Sequence, residues 1–165
     1  LFRSDATNDV ETGAFGLLPS NEEPTDMGAW ITMDVDSITL QPGQTTPAPW
    51  VNVLANPDFG CQWSEAGGGY TWAVNSRMNQ LTAWSNDPVG DPPSEWFLLQ
   101  DRRSGQVWSA APSAWGDDRL IYRVQHGQGD TVIRHRRGDL EISATWCVDA
   151  DTAVKQVRLH TLLSD

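Results

Sequence analysis

Apolar and polar residues alternate along much of this chain, which is the pattern of β-strands rather than of helices. The clearest run is Leu140–Val148, where every second residue is apolar and the residues between are mostly polar. Residues 154–162 continue the alternation, with Val157 and Leu159 on one face and Arg158 on the other. No long window has apolar residues at helical spacing between plausible caps. The pattern predicts an all-β protein.

Turn-forming residues separate further short runs that read as strands. Residues 120–126 and 131–137 are joined by a glycine-bearing turn, which predicts one hairpin. A second hairpin is predicted for residues 96–101 and 107–109. The remaining predicted strands are Val51–Ala55 and residues 61–65, 70–75 and 80–84. Short strands with regular turns between them predict an antiparallel β-sandwich.

The charge is strongly acidic and unevenly placed. The net charge is −11, from 22 acidic and 11 basic residues, which argues against a nucleic-acid partner because phosphate backbones are bound by clustered Lys and Arg. Residues 1–40 hold eight of the acids against Arg3 alone. We therefore divide the chain into a poorly defined acidic segment, 1–43, with room for a first strand, and a β-sandwich fragment, 44–165. Because the chain starts at Leu1, we expect it to be cut from a longer protein.

The two cysteines, Cys61 and Cys147, have no neighbouring Cys or His at metal-ligand spacing. We interpret them as reduced thiols of a cytoplasmic protein and expect no metal and no cofactor. Apolar runs are too short to span a bilayer, so we expect no membrane contact by this piece.

Nine tryptophans are the unusual feature of the composition. We expect six or more to pack in the core, since large rings dominate core burial. Indole also stacks on sugar rings, and residues 56–93 combine rings with planar polar groups after the triple glycine 67–69. The candidate sugar-binding residues are Tyr70, Trp72, Asn75, Arg77 and Trp84. A hairpin tip whose polar groups satisfy its own turns explains the pattern equally well.

No residue is assigned a catalytic role. A pair of carboxylates could hydrolyse a glycoside, but Asp58, Glu65, Asp87 and Asp91 lie in turn-prone sequence where such side chains commonly cap the backbone. The histidines fall on three different predicted strands. His135 stands among arginines that could contact an anion, although a solvated strand face is the preferred interpretation.

The sequence resembles the N-terminal sandwich region of the cellobiose and chitobiose phosphorylase family, and most of all the phosphorylase-like region of bacterial cyclic β-1,2-glucan synthases. The resemblance covers about residues 44–162 and departs from the family's usual proline at Ala83. The segments that carry it are TTPAPWVNV (45–53), ANPDFG (55–60), SEAGGGYTW (64–72), NSR (75–77), WSNDP (84–88) and VKQVRL (154–159).

This resemblance implies an all-β, galactose-mutarotase-like super-sandwich, incomplete within 165 residues. It also implies a following (α/α)₆ barrel of the same parent, which carries the general acid and the phosphate site. The piece should then be inactive alone and should shape a sugar site or an interface. An independent carbohydrate-binding module and a purely structural sandwich are the alternatives. Implied partners are a β-glucan or oligosaccharide, the barrel and, as a further option, a second copy in a homodimer; the parent could be attached to the bacterial inner membrane through other regions.

The end of the chain has its own consequence. If the family's sandwich continues beyond Asp165, the strand at residues 154–162 has lost neighbours. An exposed strand edge tends to pair with another chain. We therefore expect either self-association or a disordered terminus.

Overall fold

The structure is a computed structural model that describes residues 14–15, 35–87, 89–113 and 115–163, with side chains from residue 37 onward. In that part of the chain all regular structure is extended, and none of it forms a helix that could cross a membrane. The prediction of an all-β protein is confirmed.

Eleven strands form the described fold, and adjacent strands pair antiparallel. In chain order they are β1 (Ala14–Phe15), β2 (Val35–Leu40), β3 (Val51–Ala55), β4 (Phe59–Ser64), β5 (Gly69–Ala73), β6 (Leu98–Gln100), β7 (Val107–Ser109), β8 (Tyr122–Gly127), β9 (Asp130–Arg137), β10 (Leu140–Val148) and β11 (Lys155–Leu163).

The strands form two main sheets and a separate hairpin. The larger sheet has the order β11-β10-β9-β8-β2, the smaller sheet has the order β1-β3-β4-β5, and β6 pairs with β7. Apolar residues from both main sheets form one buried cluster, so the sheets pack face to face as a sandwich. The predicted antiparallel sandwich is confirmed, and both predicted hairpins are present.

Alternation decides which face of β10 points into the sandwich. Ile142, Ala144 and Trp146 are buried, whereas Ser143 and Thr145 on the opposite face are only half-buried. Because successive side chains of a strand point to opposite faces, the period-2 sequence pattern translates directly into an inner and an outer face.

The centre of the core is a contact between two tryptophans from opposite sheets. Trp63 of β4 and Trp146 of β10 stack with ring centroids 4.7 Å apart and an interplanar angle of 25°. Phe97 meets both rings edge-on, at 6.1 Å from Trp63 and 5.6 Å from Trp146. Offset-stacked and edge-to-face contacts are the favoured geometries of aromatic pairs, so this trio fixes how the two sheets meet.

A buried amide adds a polar link between the sheets. Asn52 of β3 is fully buried, and its Nδ2 donates to the carbonyl oxygens of Gly127 and Asp130, both at 2.9 Å. The same nitrogen lies 3.1 Å from the Thr131 hydroxyl. Buried polar groups need such partners, and these tie the smaller sheet to the turn between β8 and β9.

The strand predicted at residues 80–84 does not form. Its only pairing is an isolated bridge between Gln80 and Trp72. The Thr71 carbonyl accepts from both Leu81 N and Thr82 N, at 2.8 and 3.3 Å, and Thr71 N donates to the Thr82 hydroxyl at 2.8 Å. Because a side-chain oxygen replaces a backbone acceptor, the regular ladder stops there.

The preferred interpretation of the basic run as a solvated strand face fits Arg136 but is wrong for His135. Arg136 points outward, but His135 is buried on the inner face of β9, where its Nε2 accepts from Trp108 Nε1 at 3.1 Å. Arg137 lies with its guanidinium 4.1 Å from the Trp108 ring centroid. Burial lowers the pKa of His135 to about 4, and the nearby Arg137 charge adds to the shift.

Candidate functional site

The five predicted sugar-binding residues fall on β5 and on the loop that follows it. Tyr70 and Trp72 are on β5, at alternate positions and therefore on the same face. Their neighbour Thr71 shares the inner face with Cys61. Tyr70 and Trp72 thus lie on the outer face of the smaller sheet, away from the sandwich core.

A second small core forms on that outer face. Tyr70 stacks on Trp84 with centroids 4.9 Å apart and an interplanar angle of 18°, and Trp72 is tilted against Tyr70 at 5.1 Å. Tyr70 is 1% exposed and Trp72 is 7% exposed, whereas Trp84 is half-buried. The indole of Trp72 also covers Gly60, where an added Cβ would lie 2.5 Å from Trp72 Cζ2. Of the three rings, Trp84 is the one that solvent or a ligand can reach.

The two polar candidates lie in the turn after β5, and both are exposed. The Asn75 side-chain oxygen accepts from the backbone N–H groups of Arg77 and Met78, at 3.0 and 2.8 Å. Asn75 therefore shapes its own turn, as the alternative interpretation predicts for a hairpin tip. The structure brings the three rings together and places Asn75 and Arg77 in the adjoining turn.

The triple glycine is buried rather than open to an approaching ligand. Gly69 has φ of +151°, and a Cβ there would lie 2.0 Å from the Gln62 carbonyl oxygen. A Cβ on Gly68 would lie 2.0 Å from a carboxylate oxygen of Asp91. The space left by the missing side chains of these glycines is therefore filled by other residues of this chain, and not by a ligand.

Asp91 holds the glycine turn closed. Its Oδ2 accepts from the Ser64 hydroxyl, whose oxygen accepts in turn from Gly68 N at 2.8 Å. Burial raises the pKa of Asp91, although the Ser64 hydrogen bond opposes that shift. The Asp91 carboxylate therefore has a structural role, which is to stabilise the glycine turn through Ser64.

Glu65 is the buried carboxylate of the region, at 2% exposed, whereas Asp91 is half-buried. Its Oε2 accepts from Trp50 N at 2.6 Å, and its Oε1 accepts from the Thr46 hydroxyl. Burial raises the pKa of Glu65. Asp87, by contrast, is exposed and caps a turn by accepting from Val89 N and Gly90 N, at 3.0 and 2.9 Å. The predicted capping role is observed directly for Asp87.

Sequence reasoning missed the polar junction beside this site. Lys155, the only lysine in the chain, reaches from β11 to Glu95 and to the Thr71 hydroxyl, the latter at 2.7 Å. The Thr71 hydroxyl also donates to Glu95 Oε1. Hydrogen bonds from Lys155 and Thr71 lower the pKa of Glu95, although burial opposes that shift. The sequence signal for this junction was a single lysine within a predicted strand. Nothing in the sequence indicated which residues that lysine contacts.

The fold and this loop define an antiparallel sandwich domain with a covered aromatic cluster on its outer face. The chain matches the family described as "Glycosyl hydrolase 94, supersandwich domain" over residues 36–161. It belongs to that family, which confirms the resemblance found in the sequence and extends it to include nearly all of β2.

One curated relative is the "Cyclic beta-(1,2)-glucan synthase NdvB" of Rhizobium meliloti (strain 1021). It is 34% identical to this chain over 123 residues, which are 74% of this chain and 4% of that protein. The chain therefore spans only a small part of the length of the relative that it matches.

Proposed function

We propose that this domain serves a glucan-processing enzyme without performing the chemistry, and that its 74–84 loop contributes both a sugar contact and a docking surface for the catalytic domain. The observation that carries this proposal is the half-buried Trp84, stacked at 4.9 Å on the buried Tyr70. The family match and the name of the relative support a glucan as the ligand.

Trp84 is held in place before any ligand arrives. One indole face is fixed by Tyr70, so a sugar ring that stacks on accessible indole surface orders little new structure. Asn75 and Arg77 are exposed in the adjoining turn and offer hydrogen-bonding groups. A single stacking contact contributes on the order of 1 kcal/mol, so binding by the isolated domain should be weak, with Kd in about the millimolar range.

Exposed apolar residues around the same loop support the docking role. Val74, Met78 and Leu81 are 75%, 82% and 56% exposed. Val74 also has φ of +60°, a strained conformation for a β-branched residue that is sustained only where the surroundings enforce it. Clustered exposed apolar side chains mark interaction surfaces, and the proposed occupant is the catalytic domain of the same parent chain.

Replacing Trp84 by alanine should weaken binding of a β-1,2-linked glucooligosaccharide about fivefold, the equivalent of about 1 kcal/mol. Stability should fall only by about 0.5–1.5 kcal/mol, from the lost contact with Tyr70. The measurements are an NMR titration for affinity and urea unfolding for stability.

Two further variants make this result interpretable. Trp72→Ala removes a 7% exposed ring and should cost about 3–5 kcal/mol of stability. Trp115→Ala removes an indole that is 56% exposed elsewhere on the domain and should change neither quantity. Equal affinities for the wild type, Trp84→Ala and Trp115→Ala would show that the loop does not bind sugar and would favour a purely structural sandwich.

The purified chain should release no sugar 1-phosphate from β-1,2-glucooligosaccharides with phosphate, and should not hydrolyse them. The carboxylates of buried Glu65 and half-buried Asp91 accept hydrogen bonds within the domain. Neither carboxylate is therefore free to act as one of the two acid–base groups that glycoside hydrolysis uses. Chromatography of the reaction mixture against a protein-free blank is the measurement. Turnover that disappears in Glu65→Gln or Asp91→Asn would overturn the non-catalytic role.

A further inference from the structure

The indole of Trp84 lies in the described segment 83–87, which has no regular secondary structure. Tyr70 stacks on one face of the ring, but one aromatic contact offsets little of the conformational entropy that ordering a loop costs. A ring that is fixed before a ligand arrives therefore needs a backbone that is fixed as well. Thr82, two residues earlier in the chain, makes hydrogen bonds that tie this part of the loop to the sheet.

The Thr82 hydroxyl is used both as an acceptor and as a donor. It accepts from Thr71 N at 2.8 Å and donates to Glu95 Oε1 at 3.1 Å. A threonine hydroxyl has a single hydrogen to donate, and here it is given to a carboxylate that lies 13 residues further along the chain. The hydrogen bond between Thr82 and Glu95 thus closes a loop, and Trp84 lies just inside that closure.

Glu95 is held in its turn by Lys155 of β11. The Lys155 ammonium group forms an ion pair with Glu95 Oε2 and donates to Thr71 Oγ1 at 2.7 Å. The Thr71 hydroxyl donates to Glu95 Oε1. The charged side chains are largely shielded from solvent, at 13% exposed for Lys155 and 14% for Glu95. Solvent screens such a pair less than one at the open surface, and the added hydrogen bonds fix the orientation of the carboxylate.

We infer that Lys155 and Glu95 are positioning residues for Trp84, and that they act on it through the Thr82 hydroxyl. Lys155 orients the carboxylate, the carboxylate holds Thr82, and the backbone after Thr82 carries the indole. A binding group that its supporting residues hold in place loses less entropy when a ligand arrives. The inference rests on the proposed function for the role of Trp84 as a sugar contact, but the positioning itself can be measured without sugar.

Replacing Thr82 by valine removes the hydroxyl and keeps a side chain of similar shape. In the absence of sugar, the NMR order parameter of the Trp84 indole N–H should fall from about 0.85 to below about 0.6, the values typical of rigid and flexible N–H groups. The signal is assigned by its absence from the spectrum of Trp84→Phe. Thr82→Ser keeps the hydroxyl and should retain the order parameter of the wild type.

Thr46→Val is the matched control. It also removes a threonine hydroxyl that donates to a partly enclosed glutamate, in this case Glu65, and it should leave the order parameter of Trp84 unchanged. If Thr46→Val and Thr82→Val lowered this order parameter equally, the substitutions would be loosening the whole domain. That result would overturn the inference.

A double-mutant cycle tests the path from Lys155. Lys155→Met removes the charge that orients Glu95, so it should also bring the order parameter of the Trp84 indole below about 0.6. When Lys155→Met is added to Thr82→Val, it should produce no further fall, because substitutions on one path are not additive whereas those at independent sites are. An equal further fall in both backgrounds would overturn the role of Thr82 as the link.

Sugar binding separates this inference from the function on which it rests. Thr82→Val should bind a β-1,2-linked glucooligosaccharide about threefold more weakly than the wild type, because the indole is present but no longer held in place. A wild type that binds no sugar, together with a mobile indole in Thr82→Val, would uphold the positioning role and remove the proposed sugar contact. An indole that is equally ordered in the wild type and in Thr82→Val would overturn the positioning role, whether or not sugar binds.

Discussion

Replacing Trp146 by alanine should lower the free energy of unfolding by about 3–5 kcal/mol. The indole is fully buried and joins the two sheets through its 4.7 Å stack on Trp63 and its edge contact with Phe97. Natural domains are stable by only about 5–15 kcal/mol, so this single change removes a large part of the total. Urea unfolding followed by circular dichroism is the measurement.

Two comparisons identify the cause of that loss. Trp146→Phe keeps an apolar ring at the site and should be less destabilising than Trp146→Ala. Trp115→Ala deletes an exposed indole and should stay within about 0.5 kcal/mol of the wild type. If Trp146→Ala were no less stable than Trp115→Ala, the stack between the sheets would not be what holds the sandwich together.

The strands that the sequence predicts best are those with one face packed in the core and the other face in contact with solvent. In β10 the buried residues Ile142 and Ala144 alternate with half-buried Ser143 and Thr145, so polarity reports the face. The register with β9 and β11 then follows without interruption. The local sequence pattern is sufficient to predict β10 because burial alternates from one residue to the next, with the same two-residue period as the strand.

In β5 the same reasoning reaches its limit, because both faces are covered. Thr71 points to the polar junction with Lys155, while Tyr70 and Trp72 lie under the 74–84 loop, and all three are buried. The sequence identified the rings as a cluster but not the face on which they lie. The cover depends on a loop whose path is fixed by hydrogen bonds back to β5, such as Thr71 N to the Thr82 hydroxyl, and no local period encodes such contacts.

Charged neighbours misled the interpretation of His135. Arg134 and Arg136 flank His135 in sequence, but in a strand adjacent residues point to opposite faces, so the outward position of these two arginines puts His135 on the inner face. Its position is decided by Trp108, which comes from the β6–β7 hairpin and donates to its ring. Because Trp108 is 27 residues away in sequence, the residues around His135 give no indication of this hydrogen bond.

Lowering the pH from about 7 to about 4 should destabilise this protein by several kcal/mol, because two buried histidines must become charged. Burial lowers the pKa of both His126 and His135 to about 4, from a usual value of 6.5. Each shift corresponds to about 3 kcal/mol of stability. Both side chains are nearly inaccessible, at 2% and 3% exposed, so little of this effect is screened by solvent.

The direction of the effect follows from proton counting. Between pH 6.5 and about 4 the unfolded chain binds more protons at these two residues than the folded chain does. Stability therefore rises with pH through this window, levels off above it, and is lost as the pH falls. Glu65 and Asp91 act the other way, because burial raises the pKa of each and their protonation favours the folded state. Their contribution reduces the slope that the histidines produce.

The double variant His126→Asn/His135→Gln should be less stable than the wild type at pH 7.5 yet should show a much flatter decline towards pH 4. The amide side chains do not titrate, so the proton-linked loss disappears even though some packing is lost as well. His160→Gln is the matched control, since that imidazole is exposed on β11 and its removal should leave the slope of the wild type. Free energies of unfolding in urea at half-unit steps of pH give the comparison. If the double variant lost stability between pH 7 and pH 4 as steeply as the wild type, the acid sensitivity would have to be assigned to carboxylates whose pKa is lowered in the fold, such as Glu95 and Asp117, instead of the buried imidazoles.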